Sequence, residues 1–163
     1  MVWTAIKMPR GSGMVIDIFV GSYSTFILTS SDKVYCCGLN NFGQLGLPPS
    51  GIVYSLTAVP ALSGMGISKI ASGQHHTLAL AAGPTAGAAP VVLSFGSTTY
   101  GRLGRAVTEQ PVEGEENFSA PAVVSANLEG RPEDIAVGIG TSAAICGGDL
   151  FLWGCNVSYQ LAK

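Results

Sequence analysis

Charged side chains are scarce in this 163-residue chain. Asp, Glu, Lys and Arg make up 11% of the residues, the net charge is −2, and the eight Lys and Arg residues are scattered singly. A protein that neutralises nucleic-acid phosphates needs a basic patch or stripe, so we expect no nucleic-acid partner. The hydrophobic content of 47% also excludes a disordered chain, which would be rich in charge and poor in apolar residues.

Metal-binding cysteine patterns are also lacking. The four cysteines contain no Cys-x-x-Cys pair, and Cys36 and Cys37 are neighbours that would point to opposite faces of a strand. The chain has two histidines and no third one to complete a ligand set. We therefore predict no metal site and no cofactor. The thiols, including Cys146 and Cys155, are expected to be small buried apolar groups in a reducing compartment, which makes the protein cytoplasmic or nuclear.

The sequence also lacks the features of a signal peptide and of a membrane-spanning segment. The N-terminus has no long apolar core and no small-residue cleavage site, so we predict no signal peptide. Residues 70–101 contain no charged side chain, but Gly83, Pro84, Gly87 and Pro90 interrupt the run. A membrane span needs about 20 mostly apolar, uninterrupted residues. We expect no membrane partner.

Sequence motifs for catalysis are missing. No Gly-x-Ser-x-Gly elbow is present, and the glycine-rich stretch from Gly38 to Gly43 is not followed by the Gly-Lys-Ser or Gly-Lys-Thr of a phosphate-binding loop. The Asp and Glu residues lie mostly in turns or in one acidic cluster, so no catalytic pair can be assigned. We predict that the chain has no catalytic residues and is not an enzyme.

What the chain does contain is a repeat. YCCGLNNFGQLG at residues 35–46 returns as LSFGSTTYGRLG at 93–104 and, with two glycines replaced, as FLWGCNVSYQLA at 151–162. A fixed period of this length is typical of repeat architectures. A second motif precedes each copy, in which a glycine (Gly21, Gly73 or Gly138) is followed four residues later by a hydroxyl (Thr25, Thr77 or Ser142).

Each repeat is predicted to fold as four short strands joined by tight turns, because apolar runs of four to six residues alternate with Gly, Ser, Asp and Asn. Fourth strands are predicted over residues 55–62 and 119–128. We divide the chain into 1–13, the tail strand of an incomplete preceding blade; 14–66, the first repeat; 67–132, the second, with loop insertions; and 133–163, an incomplete third. The predicted fold is all-β, a partial β-propeller of tandem four-stranded antiparallel blades.

These motifs resemble the repeat of the regulator of chromosome condensation family. The resemblance is carried by SGQHHTLAL at residues 72–80, by the signature VYCCGLNNFGQLG at 34–46 and by its two later copies. It implies a propeller of about seven blades and structural roles for the signature residues. These are Gly21, Gly38, Asn40, Gly43, Leu45, Gly46, Gly73, His76, Thr77, Gly96, Gly101, Leu103, Gly104, Gly138, Trp153, Gly154, Asn156 and Leu161.

Several expectations attach to these positions. His76 occupies the His slot of the family, where its ring is expected to hydrogen-bond backbone inside its own blade, and Ser24 and Thr141 occupy that slot in the other copies. His75 is expected on the opposite strand face, exposed or at a rim. The loop glycines are expected at positive φ, and Asn40, Thr98 and Asn156 are expected to cap their loops. Cys37 replaces the usual aromatic residue before Gly38.

Function is predicted from the resemblance. Two and a half blades do not close a seven-bladed ring, so the chain is a piece of a longer protein, assembles with itself through open blade edges, or is a decayed product. We expect a non-catalytic protein-interaction module whose partner-binding residues are unknown. Candidate loops are residues 47–54, 81–90 and 105–118. The last contains the acidic cluster Glu109, Glu113, Glu115 and Glu116, which is either a solvated loop or a docking loop.

Two alternatives remain open. The founding member of the family is a guanine-nucleotide exchange factor for the GTPase Ran, so the resemblance implies that a small Ran-like GTPase is a possible partner. In the second alternative, the chain is a regulatory appendage of a larger enzyme, such as a ubiquitin ligase or a kinase.

Overall fold

The computed structural model describes residues 5–107, 118–124 and 128–162, which form three antiparallel sheets in chain order. We name them blades 1 to 3. Blade 1 contains β1 (Val15–Val20), β2 (Ser24–Thr29), β3 (Val34–Leu39) and β4 (Ile52–Ala58); blade 2 contains β5 (Lys69–Ser72), β6 (His76–Ala81), β7 (Val91–Ser97) and β8 (Phe118–Val123); blade 3 contains β9 (Pro132–Val137), β10 (Thr141–Cys146) and β11 (Asp149–Gly154).

Within each sheet every strand pairs with the next one along the chain, so each blade is a simple meander. The predicted all-β fold of tandem four-stranded antiparallel blades is confirmed for blades 1 and 2, and blade 3 has three strands within the described residues. The strands form from short runs of β-branched and aromatic residues, which pack well on the faces of a sheet. Glycines at the ends of these runs allow the turns between strands. The one helical element in the described residues is a short 3-10 turn, Thr99–Gly101.

The apolar core lies between the blades. Phe26 and Leu28 project from blade 1 towards blade 2, where the ring of Phe26 meets that of Phe95 edge to face at 6.5 Å. A second core joins Leu78 of blade 2 to Ile135 of blade 3. Every residue of β6 is buried, because blade 2 is covered on both faces. Burial of this kind stabilises a domain by about 25 cal/mol per Å² of apolar surface.

The predicted positions of the fourth strands were partly wrong. β4 begins three residues before the predicted Ser55 and ends at Ala58, and Pro60 lies in a turn closed by a bond from the Leu62 N–H to the Val59 carbonyl. Proline has no N–H to donate to a ladder, so the strand stops before it. β8 ends at Val123, five residues before the predicted end at Leu128.

The tail strand predicted within residues 1–13 stays a prediction. Residues 5–14 form no strand, and residues 1–4 lie outside the described residues. Ile6, Lys7 and Pro9 nevertheless lie beside blade 1, where they line a cavity of about 410 Å³ together with Cys37 of β3 and β4 residues 54–56. This is the side on which the last strand of a preceding blade would pack. The repeat boundaries 14–66, 67–132 and 133–163 likewise remain proposals.

The meander places alternate connections at opposite ends of each blade. The β1–β2 and β3–β4 connections and their equivalents lie at one end, which we call the signature edge. It comprises residues 21–23, 40–51, 73–75, 98–107, 138–140 and 155–162. The remaining connections lie at the opposite edge. No helix in the described part of the chain is long and apolar enough to span a membrane.

Candidate functional site

The signature loops are held by a buried asparagine. The Oδ1 atom of Asn40 accepts a hydrogen bond from the Leu45 N–H at 3.0 Å, and its Nδ2 atom donates to the Pro48 carbonyl at 2.7 Å. In blade 3, Asn156 accepts from the Leu161 N–H at the same distance of 3.0 Å. The asparagine side chain therefore replaces the backbone partner that the turn lacks. Thr98, which was also predicted to cap its loop, makes no side-chain cap bond, so that prediction was wrong.

The loop keeps one backbone geometry whether or not glycine is present. Each signature contains a lead glycine, which is Gly38, Gly96 or Gly154. The positions five and eight residues after it are left-handed in all three copies, with φ of 69° and 76° at Gly43 and Gly46, 66° and 64° at Gly101 and Gly104, and 58° and 56° at Tyr159 and Ala162. A left-handed L-residue costs roughly 1–2 kcal/mol. The third copy is therefore strained rather than rearranged.

The motif hydroxyls of blades 2 and 3 each bind the preceding blade. The Oγ1 atom of Thr77 in blade 2 donates to the Gln44 carbonyl of blade 1 at 2.8 Å, and the Oγ atom of Ser142 in blade 3 donates to the Arg102 carbonyl of blade 2 at 2.8 Å. Gln44 and Arg102 hold the same position in their signature loops. The signature loop of each blade is thus the acceptor for the next blade.

His76 also acts between blades, and the predicted bond to backbone of its own blade was wrong. Its Nε2 atom lies 2.7 Å from the Oγ atom of Ser142. Because the single hydroxyl proton of Ser142 is directed at the Arg102 carbonyl, His76 must donate from Nε2–H. Its Nδ1 atom is buried and has no hydrogen-bond partner among the described residues. Burial, with smaller contributions from the charges of Arg102 and His75, lowers the pKa of His76 to about 3.

A two-serine relay takes the place of histidine between blades 1 and 2. The Oγ atom of Ser24, which holds the His slot of blade 1, donates to the Oγ atom of Ser72 at 2.7 Å. Ser72 is 2.8 Å from the Oγ1 atom of Thr77. Serine is too short to span the joint alone, so Ser72 supplies the missing reach.

A glycine follows the first strand of each blade (Gly21, Gly73 and Gly138), and two of these glycines lie in close contact with the next blade. A Cβ atom on Gly21 would lie 2.5 Å from the Ser72 carbonyl oxygen of blade 2, and a Cβ atom on Gly73 would clash with the Gly138 carbonyl oxygen of blade 3. The same atom on Gly138 would have no neighbour closer than 3.8 Å. Gly21 and Gly73 are therefore required by the neighbouring blade rather than by their own backbone conformation, and Gly138 is not.

In blades 2 and 3, the aromatic residue before the lead glycine covers the signature loop of the preceding blade. The Nε1 atom of Trp153 donates to the Arg102 carbonyl at 2.9 Å, and a Cβ atom on Gly104 would lie 2.6 Å from that nitrogen. Phe95 covers Gly46 in the same way, at 3.4 Å from a Cβ atom placed there. Cys37 holds this position in blade 1 and lines the open cavity instead.

A row of aromatic and basic side chains crosses the joint between blades 1 and 2 at the signature edge. The rings of Phe42 and His75 meet edge to face at 4.8 Å, and the Nη1 atom of Arg102 is 3.4 Å from the Nδ1 atom of His75. The guanidinium carbon of Arg102 lies 5.6 Å from the ring centroid of Tyr100. His75 lies in the turn before β6 rather than on a strand face, so that part of the expectation was wrong, whereas its half-buried position at the edge agrees with the expected rim. We call Phe42, His75, Tyr100 and Arg102 the edge cluster.

Charge is distributed unevenly between the two edges. Arg102 and Arg105 are the only charged residues among the described positions of the signature edge, whereas all six described carboxylates lie in or towards the opposite edge. The Arg105 guanidinium joins β7 to β8 through bonds to Ser94 Oγ at 3.0 Å and the Ala120 carbonyl at 2.8 Å. Burial lowers the pKa of both arginines, but the ordinary arginine value is so high that they stay charged at neutral pH.

The other predicted candidates are scattered. The acidic cluster at 109–116 lies outside the described residues, as does most of the 105–118 loop. Loop 81–90 lies at the opposite edge, and the end of loop 47–54 belongs to β4. The expected burial of the thiols holds for Cys36 and Cys146, whereas Cys37 and Cys155 are half-buried. Burial raises the pKa of the Cys36 thiol to about 12. Sequence reasoning missed Ser72 and the edge cluster, because nothing in the repeat pattern singles them out.

Comparison with known proteins identifies the repeat. Models of the "Regulator of chromosome condensation (RCC1) repeat" match residues 15–44 and 31–80. The chain is 34% identical over 160 residues to the mouse "Regulator of chromosome condensation", covering 93% of this chain and 34% of the relative. It is 32% identical over 142 residues to the dog "X-linked retinitis pigmentosa GTPase regulator", covering 86% of this chain and 13% of the relative.

Solved structures agree on the fold. Prp20p from Saccharomyces cerevisiae matches 90% of this chain over 34% of its own length, with a TM-score of 0.76 and 24% identity. Human WBSCR16 matches 91% over 35% of its own length, with a TM-score of 0.71 and 25% identity. The chain thus spans about a third of the length of these proteins. The fold is that of propeller blades, and the chain is an RCC1-like repeat protein.

Proposed function

We propose that this chain is a non-catalytic protein-interaction module that forms part of a propeller. The observation that supports the proposal is the use of the signature side chains. His76, Thr77 and Ser142 are buried and bonded between blades, so they hold the scaffold rather than face a substrate. The surfaces left for recognition are the loops at the two edges, where propeller proteins carry their variable residues.

The blades that would complete the propeller are better supplied by other sequence than by a second copy of this chain. Lys69 of blade 2 forms an ion pair with Asp134 of blade 3, and hydrogen bonding to Lys69 lowers the pKa of Asp134. Asp17 is the equivalent residue of blade 1. Like Lys69 and Asp134, it lies four residues before the glycine that follows the first strand of its blade. A head-to-tail contact between copies would bring Asp134 against Asp17, and opposed like charges destabilise such a joint. We therefore favour a larger propeller over self-assembly.

The partner is a protein, and a small GTPase is the first candidate. The mouse relative is named a regulator of chromosome condensation and the dog relative a GTPase regulator, and the yeast protein Prp20p binds Gsp1p and histones. Guanine-nucleotide exchange is therefore the second candidate function, and regulation of a larger enzyme is the third. A nuclear or cytoplasmic location agrees with all three.

Two measurements on the purified chain separate these candidates. Release of a fluorescent guanine nucleotide from a panel of small GTPases tests exchange, and pull-down of the same GTPases tests binding. An interaction module binds a protein without accelerating nucleotide release. Acceleration of release at micromolar protein would replace the first proposal with the second.

A matched variant makes the binding assay specific. Scrambling residues 106–117 between the fixed ends of the loop should abolish capture of a partner that docks there. Retained capture would remove this loop from the binding surface, and failure to bind any protein in either form would contradict the proposed function.

A further inference from the structure

We propose that Cys155 is a redox-active thiol, which a small neutral peroxide oxidises to a sulfenic acid beside the guanidinium of Arg102. The inference goes beyond the proposed interaction function, since it assigns a modification site at the signature edge and the chemical class of the reagent. It rests on the position of the thiol, on the buried charge beside it and on the missing side chain of Gly140.

Cys155 lies where β11 runs into the signature loop of blade 3. It follows the lead glycine Gly154, and its N–H donates to the Gly140 carbonyl at 2.9 Å. The Oγ1 atom of Thr141 donates to the Cys155 carbonyl at 3.5 Å. The backbone of the residue is thus held by its own blade, while the half-buried side chain is accessible to a small molecule.

The space beside this thiol is open because residue 140 is a glycine. A Cβ atom on Gly140 would lie 3.1 Å from the Cβ atom of Cys155 and 3.9 Å from the Nη2 atom of Arg102. The thiol and the guanidinium therefore border the same space. Gly140 is not among the glycines with positive φ, so its own backbone conformation does not require glycine.

The equivalent positions in the other blades carry rings. Tyr23 and His75 lie two residues after the glycine that follows the first strand of their blades, as Gly140 does in blade 3. In blade 2, Ser97 is the equivalent of Cys155, and its N–H donates to the His75 carbonyl at 2.8 Å. Ser97 is only 2% exposed. Blade 3 thus combines a nucleophilic side chain with a neighbour that leaves it uncovered.

Arg102 supplies a positive charge next to the thiol. Its side chain is 5% exposed, so water screens its charge weakly. The Nε and Nη1 atoms are bonded to the Thr99 carbonyl and to His75, and no hydrogen bond to a described residue occupies Nη2, the nitrogen beside Gly140. Burial lowers the pKa of Arg102, and attraction to Cys155 opposes that shift. Reactive cysteines lie in partly exposed, electropositive surroundings of this kind, because the thiolate is the nucleophile.

The other three cysteines provide internal comparisons. Cys36 and Cys146 are buried, and burial raises the pKa of both thiols, that of Cys36 to about 12. A thiol that stays protonated is a poor nucleophile. Cys37 is half-buried like Cys155, but it lies in blade 1 and lines the cavity beside the N-terminal residues. Its reactivity should not depend on Arg102.

The proposed oxidation is a two-electron step. The Cys155 thiolate attacks one oxygen of hydrogen peroxide, the S–O bond forms as the O–O bond breaks, and the leaving hydroxide takes up a proton to become water. The sulfur is oxidised and the peroxide is reduced. A thiol reductant then forms a mixed disulfide with release of water, and a second molecule of it restores the thiol. A neutral oxidant suits this edge, because the β7–β8 connection carries four glutamates that would repel an anion.

The test follows the oxidation of each cysteine by mass spectrometry. The purified chain is treated with hydrogen peroxide in the presence of dimedone, which traps sulfenic acids, and the label is quantified at each cysteine. We expect label at Cys155 and none at Cys36 or Cys146. Arg102→Gln should slow the labelling of Cys155 about tenfold and leave that of Cys37 unchanged, because the cation no longer stabilises the Cys155 thiolate.

Glutamine suits this substitution because Gln44 holds the equivalent position in blade 1, and the Arg102 contacts that hold blade 3 are made by its backbone carbonyl. Each variant is first melted to show that it is folded. The matched variant Lys33→Gln removes an exposed cation from the opposite edge and should leave the labelling of Cys155 unchanged. If Arg102→Gln does not fold, Gly140→Ala should slow the labelling instead, since its methyl group lies against Cys155. Absence of label at Cys155, or the same labelling rate in wild type and in the folded variant, overturns the proposal.

Discussion

The Nε2 atom of His76 in blade 2 donates a hydrogen bond to the Oγ atom of Ser142 in blade 3, across 66 residues of sequence and 2.7 Å of space. Ser142 passes the bond on to the Arg102 carbonyl, 2.8 Å away. The histidine of the repeat is thus part of a chain of bonds that joins two blades. Because it donates from Nε2 and its buried Nδ1 has no partner in the described residues, the ring must be neutral in the folded protein.

Acid should weaken the fold through His76. Its pKa is about 3 in the folded protein against an ordinary value of 6.5, so the unfolded state binds more protons between these values. The stability contributed by the neutral ring is complete above pH 6.5 and is lost as the pH falls towards 3, at about 1.4 kcal/mol per pH unit. Urea unfolding at pH 7.5, 5.5 and 4.5 measures it. His76→Gln does not titrate, and an unchanged pH slope in that variant would contradict the assignment.

Removal of the Ser142 hydroxyl should loosen the joint between blades 2 and 3. Ser142→Ala leaves the buried Nε2–H of His76 without an acceptor, which costs about 1–3 kcal/mol. Ser142→Thr is the matched control, because Thr77 performs the same role one blade earlier. Denaturant unfolding should separate the two variants. Equal stability of the alanine and threonine variants would show that the bond contributes nothing.

Alanine at the glycines that follow β5 and β9 should have opposite effects on stability. Gly73→Ala would drive a methyl group into the Gly138 carbonyl, and overpacking of this kind costs about 1–3 kcal/mol. Gly138→Ala meets nothing closer than 3.8 Å, so it should be neutral or stabilise by about 0.5 kcal/mol through the unfolded chain. Thermal melts of both variants test the difference. Comparable losses in the two would mean that the glycines serve their own turns.

Glycine should relieve the third signature loop. Tyr159 has a φ of 58° at the position that Gly43 and Gly101 occupy in the other copies. Tyr159→Gly should raise the free energy of unfolding by roughly 1 kcal/mol, because the left-handed backbone is then unstrained. Val157→Gly, also exposed and in the same loop, is the control and should be neutral or destabilising. A loss of stability in Tyr159→Gly would show that the ring contributes more than the strain costs.

An aromatic residue at position 37 should fill the open side of blade 1. Cys37 lines the cavity of about 410 Å³, whereas Phe95 is buried and Trp153 half-buried at the equivalent positions. Cys37→Phe buries additional apolar area and should raise the melting temperature. Cys37→Ser is the control, which keeps the size and removes the apolar character. A lower melting temperature for Cys37→Phe than for wild type would place the cavity wall too close for a ring.

Most of the fold followed from sequence alone. Strand alternation, the 58-residue spacing of the lead glycines and the loop-capping Asn40 and Asn156 are local features, and each acts within a few residues of itself. Local hydrogen bonding and steric limits on φ therefore determined the strands, the turns and the blades. The family resemblance added the expectation of about seven blades.

Only the tertiary structure decided which residues meet between blades. The partner of His76, the Ser24–Ser72 relay and the edge cluster join residues 27 to 66 positions apart. Their contacts depend on how one sheet is stacked and rotated on the next, which strand periodicity does not specify. The sequence therefore determined the blades, and the packing of sheet faces decided that His76 is a buried side chain that joins two blades and that Arg102 is a buried cation at the signature edge.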